Sequence, residues 1–191
     1  DTVILKRLLD IGVRNFLVPF VQTAAEARAA VAATRYPPEG VRGVAVTHRA
    51  NAYGRIRDYF RQSNDQICVI VQIESRLALD NLEAIAAVDG IDGLFIGPSD
   101  LAAALGHLGE PGHPEVRTAI EDAFRRIRKA GKAPGMLAPV EADARHWLAQ
   151  GCVVLAVGSD VGLLARSSEA LALKFREGVA ALPMVGAPAN R

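Results

Sequence analysis

The sequence predicts an α/β fold built on a parallel sheet, and three observations predict it. Two apolar runs rich in Val and Ile, Ile67-Cys-Val-Ile-Val-Gln-Ile-Glu74 and Leu94-Phe-Ile-Gly-Pro-Ser-Asp100, have strand length and no clean alternation, which suits strands covered on both faces. Segments of helical period alternate with such runs along the whole chain, joined by connections of the length βα units use. The first strand is followed by Val18-Pro-Phe-Val-Gln and not by a Gly-rich phosphate turn, so a (β/α) barrel is favoured over a doubly wound sheet. Five strands can be counted, whereas a closed barrel needs about eight.

The elements follow in order. Thr2 to Ile11 carries Ile4, Leu5, Leu8 and Leu9 at helical spacing and stops at Gly12. Asn15 to Val21 reads as a buried strand with Pro19 near its end, where a missing N–H does least harm. The Ala- and Glu-rich segment Ala24 to Thr34 is a helix ended by Tyr36-Pro-Pro-Glu-Gly40. Val41 to Val46 reads as a short extended piece, His48 to Gly54 as a loop, and Arg55 to Ser63 as a polar helix. Strand Ile67 to Ile73 leads to one helix over Arg76 to Ala87, then strand Gly93 to Ile96 and a short helix Leu101 to Leu105. After the loop Gly106 to Gly112, Pro114 opens a helix with Val116, Ile120, Ala123, Phe124 and Ile127 on one face and Gly131 just past its end. Lys132 to Leu137 is a strand, Ala142 to Gln150 a helix, Val153 to Val157 a strand and Leu163 to Arg176 the last helix. Beyond Pro183 a frayed tail is expected.

Composition excludes several function classes. With 22 Lys and Arg against 21 Asp and Glu, the net charge of +1 offers no electrostatic reason for nucleic acid or an anionic membrane as partner. No apolar stretch approaches the ~20 residues of a membrane span, and the start lacks a signal-peptide layout, so a cytoplasmic protein is expected. Cys68 and Cys152 have neither metal-ligand spacing nor a disulfide framework and read as buried thiols.

The chemistry should lie where the strands end. Ligands of parallel α/β proteins collect at the carboxyl ends of strands, so Glu74 and Asp100 can converge on one site. Gln72, two residues before Glu74, projects to the same face. The plain alternatives are a strand-end glutamate paired with an arginine and an Asp100 that caps helix 101–105. Two carboxylates without a His or Cys partner of ligand spacing favour a hard, octahedral cation, Mg²⁺ first and Mn²⁺ second. The helix starting at Asp100 or Leu101 turns free N–H groups and its positive dipole end toward the same rim, so a small oxoacid anion is expected as substrate. Asp160, after the last strand, is a weaker candidate. His48, His107, His113 and His146 read as structural or solvated, His113 as a helix cap.

Six ordered motifs carry a resemblance over residues 1 to about 178: Arg35-Tyr-Pro-Pro-Glu-Gly-Val-Arg-Gly43, His48-Arg-Ala-Asn51, Val71-Gln-Ile-Glu-Ser75, Gly97-Pro-Ser-Asp-Leu101, Leu137-Ala-Pro-Val-Glu-Ala-Asp143 and Ala156-Val-Gly-Ser-Asp160. Together they resemble the HpcH/HpaI family of metal-dependent pyruvate aldolases, nearest its branch acting on 2-keto-3-deoxy sugar acids. The resemblance implies a TIM (β/α)8 barrel of the phosphoenolpyruvate/pyruvate type, with 1–178 its C-terminal part and 179–191 a tail. It implies metal ligands Glu74 and Asp100, with Mg²⁺, or Mn²⁺ or Co²⁺, as the only cofactor. Gln72, Pro98, Ser99 and Leu137 would contact substrate, and Asp10 would orient the family's general-base histidine. It further implies a trimer or hexamer, and cleavage of 5-keto-4-deoxy-D-glucarate or 2-dehydro-3-deoxyglucarate to pyruvate and tartronate semialdehyde. The family's base His and keto-steadying Arg belong to strands before the first residue, so the first three strands are expected to be lacking. The alternatives are a 4-hydroxy-2-oxoheptanedioate-type aldolase, an acyl-CoA thioester lyase of the same fold, and a non-catalytic barrel remnant.

Overall fold

The computed structural model describes the backbone of residues 1–179 and the side chains of residues 1–176, so the tail beyond Pro183 lies outside the described residues. The chain forms two compact units, Asp1–Ala156 and one beginning at Val157. In the first, α1 (Thr2–Ile11), β1 (Asn15–Val18) and α2 (Ala24–Thr34) precede a long loop carrying the one-turn α3 (Tyr59–Gln62). β2 (Cys68–Ile73), α4 (Arg76–Asp80), α5 (Leu82–Ala86), β3 (Gly93–Ile96) and α6 (Pro98–Ala104) follow, then α7 (Pro114–Lys129), β4 (Ala133–Leu137), α8 (Glu141–Ala149) and β5 (Val154–Ala156). The second unit holds α9 (Asp160–Val179). None of the described helices is long and apolar enough to cross a membrane.

The five strands are parallel and stand in the order β1-β2-β3-β4-β5. Strand order decides between the two α/β architectures. A doubly wound sheet reverses its order midway, whereas right-handed crossovers that always step to the next neighbour put every connecting helix on the same face. The sheet is therefore that of a partial TIM barrel. Helices α2, α5 and α7 form the outer layer, with α5 packed between the other two. They cover Val69, Val71 and Ile73 of β2 and Leu94 and Ile96 of β3. The intervening residues Cys68, Ile70 and Gln72 are only half-buried, and Leu17 of β1 is exposed. This corrects the expectation of strands covered on both faces, which among the described residues holds for β3 alone. Helices on a single face cover only alternate residues of a strand.

Local chemistry sets the bounds. Gly12 ends α1 in the left-handed region, and Thr23 with Glu26 opens α2 in a reciprocal capping box. Helix α7 buries Val116, Ile120, Ala123, Phe124 and Ile127, the stripe its spacing predicts. Burying each of its large side chains is worth roughly 1.5–3 kcal/mol. Arg126 of α7 clamps Glu83 of α5 with two bonds of 2.6 Å and donates to Leu79 O at 2.8 Å. Five expectations fail. The strand expected over Asn15 to Val21 ends at Val18, and the helix expected over Arg55 to Ser63 is only the one-turn α3. Residues 41–46 form no strand, and Val41, Val44 and Val46 lie exposed. The helix expected over 76–87 breaks at Asn81, whose Nδ2 donates to Gln22 O at 2.9 Å. Helix α6 starts at Pro98 and not at Leu101, since proline is well suited to a first helical position.

Candidate active site

The carboxyl ends of β1, β2 and β3 deliver the groups of the site. Glu74 follows β2 directly and is buried. Its Oε1 accepts the Phe20 N–H at 2.8 Å, and its Oε2 accepts Gln72 Nε2 at 3.1 Å; among the described residues no arginine pairs with it. Phe20 stands just beyond β1 with φ +55°, a conformation that costs a non-glycine residue about 1–2 kcal/mol. That turn aims its amide at the carboxylate. The turn is tied down from behind: Gln22 Oε1 accepts from Ser75 Oγ at 2.8 Å, and Val21 N donates to Gln72 O at 3.3 Å.

Across from Glu74 stands the loop after β3. A Cβ on Gly97 would lie 2.3 Å from Glu74 Oε2 and 3.0 Å from Glu74 Cβ, so only glycine leaves room for the carboxylate. Asp100 is exposed in the first turn of α6; the N-cap position belongs to Gly97, which offers no side chain, so Asp100 is not the cap of this helix. Burial pushes the Glu74 carboxyl above its usual range; the Phe20 amide pulls it partly back and the Asp100 charge pushes it up again. Two carboxylates in electrostatic reach, one of them buried and, among the described residues, bonded to no side-chain cation, offer hard oxygen donors of the kind a divalent ion takes. Pro98 and Ser99, at the start of α6, line a cavity of about 280 Å³ with Met136, Leu137, Arg117 and Trp147; neither Glu74 nor Asp100 is in its lining.

Asp10 lies elsewhere, in a buried polar cluster. Its Oδ2 accepts Lys6 Nζ at 2.5 Å and its Oδ1 accepts Arg42 Nη2 at 2.8 Å. Burial works to raise the Asp10 carboxyl, but these two cations outweigh it and hold the group below its ordinary value. The fully buried Arg42 guanidinium stacks 4.3 Å over the Tyr36 ring, whose hydroxyl burial pushes up to about 12. His48 is structural here: its Nδ1 accepts Asn51 N at 3.3 Å, and burial lowers its pKa. The structure thus gathers Gln72 and Glu74, with Asp100 in reach, and sets Pro98, Ser99 and Leu137 along one cavity. It holds Asp10 in a separate cluster, and Asp160 opens α9, where its Oδ1 accepts Val161 N at 2.8 Å. Sequence reasoning missed Phe20 and Gly97. Nothing in the sequence marks a positive φ at Phe20, whereas the glycine facing a strand-end glutamate was a readable signal.

A parallel β/α sheet with a buried glutamate at the end of β2 and an aspartate in the first helical turn after β3 is the layout of a β/α-barrel enzyme. The chain belongs to the HpcH/HpaI aldolase/citrate lyase family, whose profile matches residues 1–167. Relatives from Shigella dysenteriae serotype 1 and Klebsiella pneumoniae, each named 5-keto-4-deoxy-D-glucarate aldolase, are 58% identical over 177 residues, covering 93% of this chain and 69% of theirs. The crystal structure of an HpcH/HpaI aldolase/citrate lyase family protein from Burkholderia cenocepacia J2315 superposes with a TM-score of 0.86 at 42% identity, over 92% of this chain and 70% of that one.

Proposed function

We propose that the protein is a metal-dependent aldolase of the pyruvate type, a cytoplasmic carbon–carbon lyase that cleaves 5-keto-4-deoxy-D-glucarate or 2-dehydro-3-deoxyglucarate reversibly to pyruvate and tartronate semialdehyde. The observation that carries the reading is Glu74: a buried carboxylate oriented by a strained backbone amide, given room by Gly97 and facing the charge of Asp100. The names and 58% identity of the relatives support the substrate.

Glu74 and Asp100 hold the ion, Mg²⁺ by the hardness of their oxygens, with Mn²⁺ or Co²⁺ as substitutes. When bound, a divalent cation there supplies Lewis acidity to the 2-keto oxygen of the substrate as the carbon–carbon bond breaks. Gln72, fixed against Glu74, presents its amide to the pyruvate end. Pro98, Ser99 and Leu137, which line one cavity, form the wall against which the substrate is seated. Asp10, kept ionised by Lys6 and Arg42 in a cluster apart from Glu74, is the residue that would orient the family's general-base histidine. The chain assembles as a trimer or hexamer, a reading supported by Leu164, Leu171 and Phe175, which share one face of α9.

The test couples pyruvate release from 5-keto-4-deoxy-D-glucarate to lactate dehydrogenase. Activity should need a divalent cation, and Glu74→Gln and Asp100→Asn should each abolish it while leaving the far-UV circular dichroism intact. Full activity in chelator would refute the reading.

A further inference from the structure

A second group of metal-ligating side chains lies outside this site, in the loop between α6 and α7. One ligand atom from each of His107, Glu110 and His113 lies within 4.8 Å of those of the other two. The backbone brings them there. Glu110 N donates to His107 O at 2.9 Å and His113 N donates to Glu110 O at 3.0 Å, so two successive four-residue turns share Glu110 and return each ligand residue to the same side. The first turn has Gly109 at φ +84° in its third position, and the second has Pro111 in its second position, each the residue such a turn prefers. His107 N, bonded to Ala102 O at 2.8 Å, anchors the start of the loop to α6.

One imidazole is backed by a carboxylate. A carboxylate can only accept, so His107 Nε2 donates in its 2.8 Å bond to Glu115 Oε2, which leaves Nδ1 as the ring nitrogen that can face an ion. A carboxylate behind a histidine is the arrangement that fixes tautomer and raises basicity at metal centres. The two rings stack with centroids 3.5 Å apart, which holds the imidazoles together in the loop. At His113 only a long, exposed 3.3 Å bond from Glu115 N engages Nδ1, and water can take over that donor at a helix start.

We propose that His107, Glu110 and His113 form a second metal site, selective for a borderline dication such as Zn²⁺, Ni²⁺ or Co²⁺. Two imidazoles and a carboxylate suit these ions, whereas the all-oxygen pair Glu74 and Asp100 suits Mg²⁺. Water completes the coordination. The bound ion would fasten the loop to the start of α7, next to Pro111 and Gly112, which border the same cavity as Pro98 and Ser99.

Zn²⁺ calorimetry on protein presaturated with Mg²⁺ tests this, alongside hydrogen exchange of residues 106–113. The expected result is one Zn²⁺ per chain that Mg²⁺ does not displace, with slowed exchange in the loop. His107→Asn and His113→Asn should each weaken it at least tenfold, the second retaining a helix-capping residue so that loss of α7 cannot account for the change. Glu115→Gln should weaken it about 10- to 100-fold through His107. Glu74→Gln should leave it unchanged, which separates this site from the aldolase centre. Unaltered Zn²⁺ binding in both histidine variants, or Zn²⁺ displaced by Mg²⁺, would overturn the proposal.

Discussion

Replacing Gly97 with alanine would put a methyl carbon 2.3 Å from Glu74 Oε2, 3.0 Å from its Cβ and 3.3 Å from its Cδ. The first distance is roughly 1 Å short of van der Waals contact. Rotating the carboxylate away cannot relieve all of it, because the Cβ of Glu74 is fixed by β2 and remains too close. Either the carboxylate leaves its bonds to Phe20 N and Gln72 Nε2, or the loop after β3 shifts. Losing one hydrogen bond to a charged group costs about 1.5–3 kcal/mol, and overpacking a tight site costs about 1–3 kcal/mol. The expectation is therefore Mg²⁺ binding weakened about 10- to 100-fold, together with a lowered melting temperature. Calorimetric titration of Mg²⁺ in the presence of oxalate measures the first, and a thermal scan the second. If Gly97→Ala binds Mg²⁺ within twofold of the parent protein and melts at the same temperature, Glu74 does not hold the ion in the position argued here.

Other predictions follow from single contacts. Phe20→Gly removes the strain of a positive φ at an exposed side chain, and should hold or raise stability by up to about 1 kcal/mol with Mg²⁺ binding retained, as urea unfolding and titration would show. The Arg126 bonds hold the Glu83 carboxyl down to about 2. A depressed carboxylate contributes stability above its unfolded pKa of about 4.3 and loses it as pH falls toward the folded value. Glu83 is largely exposed, so Glu83→Gln should cost no more than about 1 kcal/mol at neutral pH and should flatten the acid loss of stability over that window. Phe124→Ala empties a buried site where the ring meets Trp147 edge-on, and should cost about 3–5 kcal/mol by urea unfolding.

How far the sequence could be read depended on whether the cause of a feature was local. The bounds of α1, α2 and β3 were legible because Gly12, the proline–glycine stretch after Thr34 and the apolar run 93–96 act within a few residues. That Gln72 and Glu74 share one face at the end of β2 was legible, because a two-residue period is a property of the strand itself. What was lost depended on distant partners. The break at Asn81 exists because its side chain reaches Gln22 O, 59 residues earlier, and the orientation of Glu74 comes from Phe20, 54 residues earlier. The loop histidines read singly as structural, because the two turns that bring His107 and His113 onto one side involve backbone bonds that spacing alone does not reveal.

The donor that orients Glu74 is a main-chain amide, and this redistributes the mutational tolerance of the site. Every amino acid except proline keeps an N–H at position 20, so a library of substitutions there would score as permissive although the position aims the central carboxylate. Position 97 would score as intolerant although glycine contributes no side-chain chemistry, because its value is the space it leaves. In a saturation screen the residue that acts would look dispensable and the one that only makes room would look essential.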